Sequence, residues 1–280
     1  MVRMVKTEAC HASSRRESWD EDRSFDSTGI ACLGYCAACD QVHGLGEGAA
    51  RRHCLTLMRD LERVKRIDLL AADHEADPRC SIAYLLGRAR GQMFGVMEYL
   101  DQDGNVGTAR AFSGQYNGLW HVPGWVPPVV DIQAQKRISV PVEGRIKELG
   151  RTIEKLGKGS MQHQVVVRER RDLSRQLMQE IHALYQVRNF RGQSRSLKDI
   201  FLGPGGMPAG TGDCCAPKLL HYAICNDFVP LGIAEFFWGR ENRSCTRQHG
   251  CFYPACREKC QPMLGFMLCG LDEASAKRDT

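Results

Sequence analysis

The chain has no uninterrupted apolar run approaching the roughly 18 residues that a membrane-spanning helix requires, so hydropathy offers no candidate span. Its opening, "MVRMVKTEACHASSRRESWDEDRS", carries basic residues with no apolar stretch behind them, and the pattern of a secretory leader is missing. Strong charge is missing too: 38 Lys and Arg against 33 Asp and Glu leave a formal +5, which permits an anionic partner without demanding one. What the chain has in quantity is cysteine, 14 in 280 residues. Without a leader these read as thiols, some of them metal ligands, in the reducing cytoplasm. An apolar fraction of 43% is enough for a full core.

Residues 1–28 mix Ser, Arg, Asp and Glu without apolar periodicity and read as a tail. Residues 29–114 form the first part of an α/β domain. They open with a Cys-rich stretch, continue with a helix over about 49–64 from the spacing of Leu55, Met58, Leu61 and Val64, and close with a β-hairpin. The hairpin pairs 92–100 with 106–113 around an Asp103-Gly104 turn. Residues 115–201 hold a Pro- and Trp-rich covering loop and a helical hairpin. There Val142, Ile146, Leu149, Ile153 and Leu156 form a coiled-coil seam, "GKGS" interrupts it, and Leu173, Leu177, Ile181 and Leu184 resume it. Residues 202–271 form a sulfur-bearing second part of the α/β domain, with a helix at about 215–226, a strand at 229–239 and a helix from about 255; residues 272–280 are a second tail.

Cys214 falls at a helix start, and Cys256 and Cys260 at i,i+4 spacing share one face of the next helix. Helix N-termini favour thiolate, so the three can converge on one zinc ion, with His249 or Cys215 completing the shell. Cys32, Cys36, Cys39 and His43 offer a second zinc knuckle; Cys10, Cys80, Cys225, Cys245 and Cys269 carry no assignment. From 141 to 199 there are 13 Lys and Arg against 7 Asp and Glu, and Arg168, Arg170, Arg171 and Arg175 read either as a solvated helix face or as an arm for RNA phosphates.

The runs "GQMFGV", "AFSG", "VPGWVPPVVD", "GTGDCCAPKLL", "AEFFWG" and "FYPACREKC" resemble the N-terminal extension of a subset of RluA-type RNA pseudouridine synthases, over about residues 80–271. The resemblance implies association with RNA modification. It does not supply the synthase's own Arg-Leu-Asp motif: "RIDL" at 66–69 lacks the Thr-Ser-Gly that should follow, which makes Asp68 a decoy. Element order is similar, more weakly, to zinc-dependent nucleobase deaminases, implying a three-layer α/β core into which an antiparallel helical hairpin is inserted. Those enzymes need a Glu close after the first ligand. Here Cys215, Ala216 and Pro217 follow Cys214, leaving Asp213 or Glu235 as substitute proton carriers.

The leading expectation is a zinc-binding, RNA-associated domain working with a separate RNA-modification enzyme. A deaminase-like zinc hydrolase and a protein-interaction adaptor are the alternatives; nothing points to DNA or a membrane.

Overall fold

Residues 29–278, apart from Arg88, are described in a computed structural model; the first tail and Cys10 lie outside the described residues. The anticipated hairpin forms as β3 (Gln92–Leu100) and β4 (Val106–Phe112). Its turn is held by the Asp101 carboxylate, which accepts from the Asp103 and Asn105 N–H groups, while Gly104 takes φ +81°. A third strand, β7 (Val229–Trp238), pairs antiparallel with the other edge of β3, giving the order β4-β3-β7.

Alternation along these strands sorts side chains into two cores. Phe94, Val96, Ala234, Phe236 and Trp238 face helix α1 (Ala50–Val64), which buries Cys54, Leu57, Met58 and Leu61. The buried stripe is therefore i, i+3, i+4, i+7 from Cys54, one residue round from the expected one: Leu55 and Val64 are only half-buried. Met97 and Ile233 face the opposite way, towards α6 (Cys215–Cys225) and α7 (Gln261–Leu268). The domain is thus mixed α/β with helices on both faces of a small antiparallel sheet.

The Cys-rich start is a hairpin of its own, β1 (Ile30–Cys36) with β2 (Gln41–Gly46). It lies against α7 with the backbones in contact. A Cβ on Gly265 would come within 2.1 Å of the Tyr35 carbonyl oxygen, and one on Gly34 within 2.2 Å of the Gly265 nitrogen, so only glycine fits at either position.

Two long helices, α3 (Ile132–Lys155) and α4 (Met161–Ala183), pack side by side, with Arg145 bonded to Glu169 at 2.8 Å and Leu149, Leu177 and Ile181 buried. The first begins ten residues before the expected seam. Asp131 caps it by accepting from Gln133 and Ala134, and the helix continues through Pro141. The covering loop closes the α1 face: buried Trp125 donates to the Ile67 carbonyl at 2.8 Å and Tyr116 donates to the Ser81 carbonyl. Asp68 belongs to that local fold. Its carboxylate accepts from the Asp77 N–H and lies 3.4 Å from Arg66.

Short elements complete the chain: α2 (Ala83–Leu86), the hairpin β5 (Gln186–Arg188) and β6 (Ser194–Ser196), α5 (Leu197–Ile200) and α8 (Leu271–Ala276). The last carries the domain into residues expected as a tail, with Ala274 packed against the core and Glu273 paired with Arg191.

Candidate metal centres

Cys214, Cys256 and Cys260 lie in one another's electrostatic reach. Cys214 is the N-cap residue of α6, and Cys260 occupies the same position on α7. Cys256 is not helical, contrary to the expected helix from 255. It lies in a turn closed by Cys260 N–H donating to its carbonyl, and α7 starts only at Gln261, with Pro262 in its first turn. That turn, rather than a helix face, places Cys256 just ahead of Cys260.

The three thiols are near enough to shift one another's ionisation. Cys214 and Cys260 hold the Cys256 sulfur far below the usual thiol range, and the Lys259 N–H donates to it at 3.3 Å. The same proximity raises its partners: Cys214 is pushed up to about 12, first by Cys256, and Cys260 is raised well above its ordinary value. Three sulfurs so grouped are a donor set suited to a soft or borderline cation.

Beside it lies Glu235, on the strand face opposite α1. The carboxyl is buried, and burial pushes it up to about 7 despite the Ala216 N–H that donates to Oε1 at 3.0 Å. Lys218 does not pair with it. The Lys218 ammonium donates instead to the Phe112 and Gly114 carbonyls at 2.9 and 2.7 Å.

Three other candidates point elsewhere. The Asp213 carboxylate accepts from the Tyr185 hydroxyl at 2.6 Å. The Cys215 thiol donates into the sheet, to the Met93 and Ala111 carbonyls, with its Cβ where a side chain on Gly95 would sit. His249 belongs to the α1 face, with its ring 4.0 Å from that of Trp238, its Nδ1 accepting from Gly239 and its charge environment set by Glu62 and Lys65. Strand alternation thus removes His249 from the thiols.

A tighter group lies at the β1–β2 hairpin. Cys36, Cys39, His43 and Cys269 place their ligand atoms all within 4.8 Å of one another, a Cys3His group that can hold a metal ion; no other such group is drawn as tightly among the described residues. The Cys39 sulfur is 3.0 Å from His43 Nε2 and 3.6 Å from the Cys269 sulfur. Burial, and then the bonds with Cys39 and Cys36, push the Cys269 thiol up to about 12.

The expected fourth member, Cys32, is buried on the side of Glu235, whose charge raises it further after burial itself. Cys269 takes the place assigned to it. The signal that could have found Cys269 is Gly270, which ends the apolar helical run "MLGFML" and fixes a cysteine at the α7 C-cap.

Arg168, Arg170, Arg171 and Arg175 are all exposed on α4, and Asp172 lies within 4.0 Å of the last two. Among the described residues no helix is long and apolar enough to cross a membrane. No family model, curated protein or solved structure matches this chain.

Proposed function

We propose that the chain is a zinc-binding, RNA-associated domain that works beside a separate RNA-modifying enzyme, on a core arranged like that of the zinc-dependent nucleobase deaminases. The observation that carries this reading is the meeting of Cys214, Cys256 and Cys260 at the starts of α6 and α7, on one face of the β4-β3-β7 sheet. Support for the core comes from element order: a hairpin, a helix with the first sulfur at its N-cap, an antiparallel strand, then a turn and helix with two more. The RNA part rests on the resemblance to the synthase extension and on the exposed arginines of α4. An accessory role, rather than pseudouridine synthesis, fits an Asp68 whose carboxylate is bound into a local turn.

Zinc suits sulfur donors because it needs no redox partner and takes tetrahedral thiolate shells; where one position stays open it also acts as a Lewis acid towards water. Two measurements test the reading. Cys256→Ser should lower both zinc content and melting temperature, and anisotropy titrations with tRNA or rRNA fragments should show affinity falling as salt rises. Full zinc with unchanged melting in the variant, or no RNA binding at low salt, would refute it.

A second reading, a deaminase-like hydrolase, is favoured by one contact. In the deaminase signature the proton-carrying Glu stands two residues after the first ligand. Here that position is Ala216, and the carboxylate of Glu235 reaches across from β7 to its N–H. Glu235 is then the proton carrier, supplied from the neighbouring strand. Glu235→Gln should retain zinc yet abolish ammonia release from cytidine- or adenosine-containing substrates; a wild-type chain that releases none with zinc bound sinks this reading.

A further inference from the structure

We propose that Cys36, Cys39, His43 and Cys269 form a second, closed zinc centre that clasps the β1–β2 hairpin to the corner between α7 and α8 and serves the fold, not catalysis. It is independent of the Cys214 centre and goes beyond the function proposed above.

The ligand-atom spacings are near those of a tetrahedral shell. Zinc to sulfur and zinc to nitrogen distances of about 2.3 and 2.0–2.1 Å imply ligand atoms roughly 3.5–3.8 Å apart. Cys39 and Cys269 stand at 3.6 Å, Cys39 and His43 at 3.0 Å, and all four ligand atoms fall within 4.8 Å. Small side-chain rotations suffice to admit the ion.

Backbone features on both sides hold the ligands there. Cys36 ends β1, and the turn carrying Cys39 is completed by Asp40 at φ +58°, which sends the chain back so that His43 lies opposite Gly34 in the register. Cys269 is the C-cap residue of α7. It precedes Gly270 at φ +91°, where a Cβ would meet the Arg191 side chain at 2.5 Å. The backbone contact between Gly34 and Gly265 then brings hairpin and helix close enough for the sulfurs to meet. These are two rigid pieces of chain docked by glycine, with their donors converging at one point.

The donor set selects the ion and the role. Three thiols and an imidazole, two of the four residues fully buried and two half-buried, match a closed structural site with no position left for water or substrate. The link from Cys39 to Cys269 spans 230 residues, so an ion here constrains the unfolded chain over most of its length. Metal binding and folding of the C-terminal corner are therefore coupled.

Zinc content of the full chain, measured for the wild type and single variants, tests the proposal. Cys269→Ser should remove one equivalent and lower the melting temperature. His43→Cys, which keeps four soft donors, should retain that equivalent. Cys269→Ser with the wild-type zinc count, or His43→Cys without zinc while the protein stays folded, would overturn it. Cys256→Ser separates the two centres: unchanged zinc there, with a loss in Cys269→Ser, condemns the Cys214 centre alone, and the reverse pattern condemns only the clasp.

Discussion

The two sulfur groups differ in how the fold assembles them. In the clasp, three donors are local: a C-x-x-C step and a histidine four residues on, placed by one tight hairpin, with a single remote residue closing the shell. The Cys214 group has no such unit. Its members come from two helix starts and a turn, and the set is looser, with a buried carboxylate alongside. A local knuckle needs only one docking event to become a four-donor site. A group built from remote segments depends on the packing of both helices against the sheet.

The comparison can be broken most severely at the glycine contact. Gly265→Val sets a branched side chain against the Tyr35 carbonyl, at a position where even a Cβ would stand 2.1 Å from it, and should cost more than about 4 kcal/mol. Urea melts are expected to show a chain unfolded or without its clasp zinc; a variant that folds and keeps both zinc equivalents would contradict the docking described here.

Next in size is Glu235→Ala, which leaves the buried Ala216 N–H without its acceptor and should cost about 1–3 kcal/mol. Glu235→Gln keeps an oxygen in place and should cost less. Equal losses in thermal melts would mean that the hydrogen bond is not what Glu235 contributes to the fold.

Cys32→Ala sharpens the assignment of the fourth ligand. It removes a small buried side chain, should cost about 1 kcal/mol, and should leave zinc content at the wild-type level. Loss of an equivalent would return Cys32 to the shell in place of Cys269.

The smallest effect is expected from Arg168→Ala, Arg170→Ala, Arg171→Ala and Arg175→Ala. Each should change stability by no more than about 0.5 kcal/mol, since all four are exposed. Together they should weaken RNA binding and flatten its salt dependence. Affinity unchanged in the quadruple variant would move the RNA surface off α4.

Much of the fold was legible where periodicity and turn chemistry agree: α1, the β3–β4 hairpin with its Asp-Gly turn, α6 and β7 all lie within two residues of their expected bounds. The β1–β2 hairpin was not. "IACLGYC" and "QVHGLG" have few β-branched residues, and their glycines, of which Gly34 serves backbone contact with α7, hide the alternation that marks a strand. The start of α3 was obscured by the prolines before Asp131, although Asp131 itself was a readable cap. Cys214, Cys256 and Cys260 could be grouped because each sits at a helix start or the turn before one. Cys269 could not be joined to Cys39 from spacing across 230 residues, because that pairing is made only by tertiary docking.

The central claim is that this chain folds around two separate thiolate-held metal ions. X-ray absorption at the zinc edge of the purified full-length protein tests it most directly. A shell averaging about three sulfurs at about 2.3 Å per zinc is the predicted result. A shell of oxygen and nitrogen alone, from a folded protein carrying stoichiometric zinc, would contradict it.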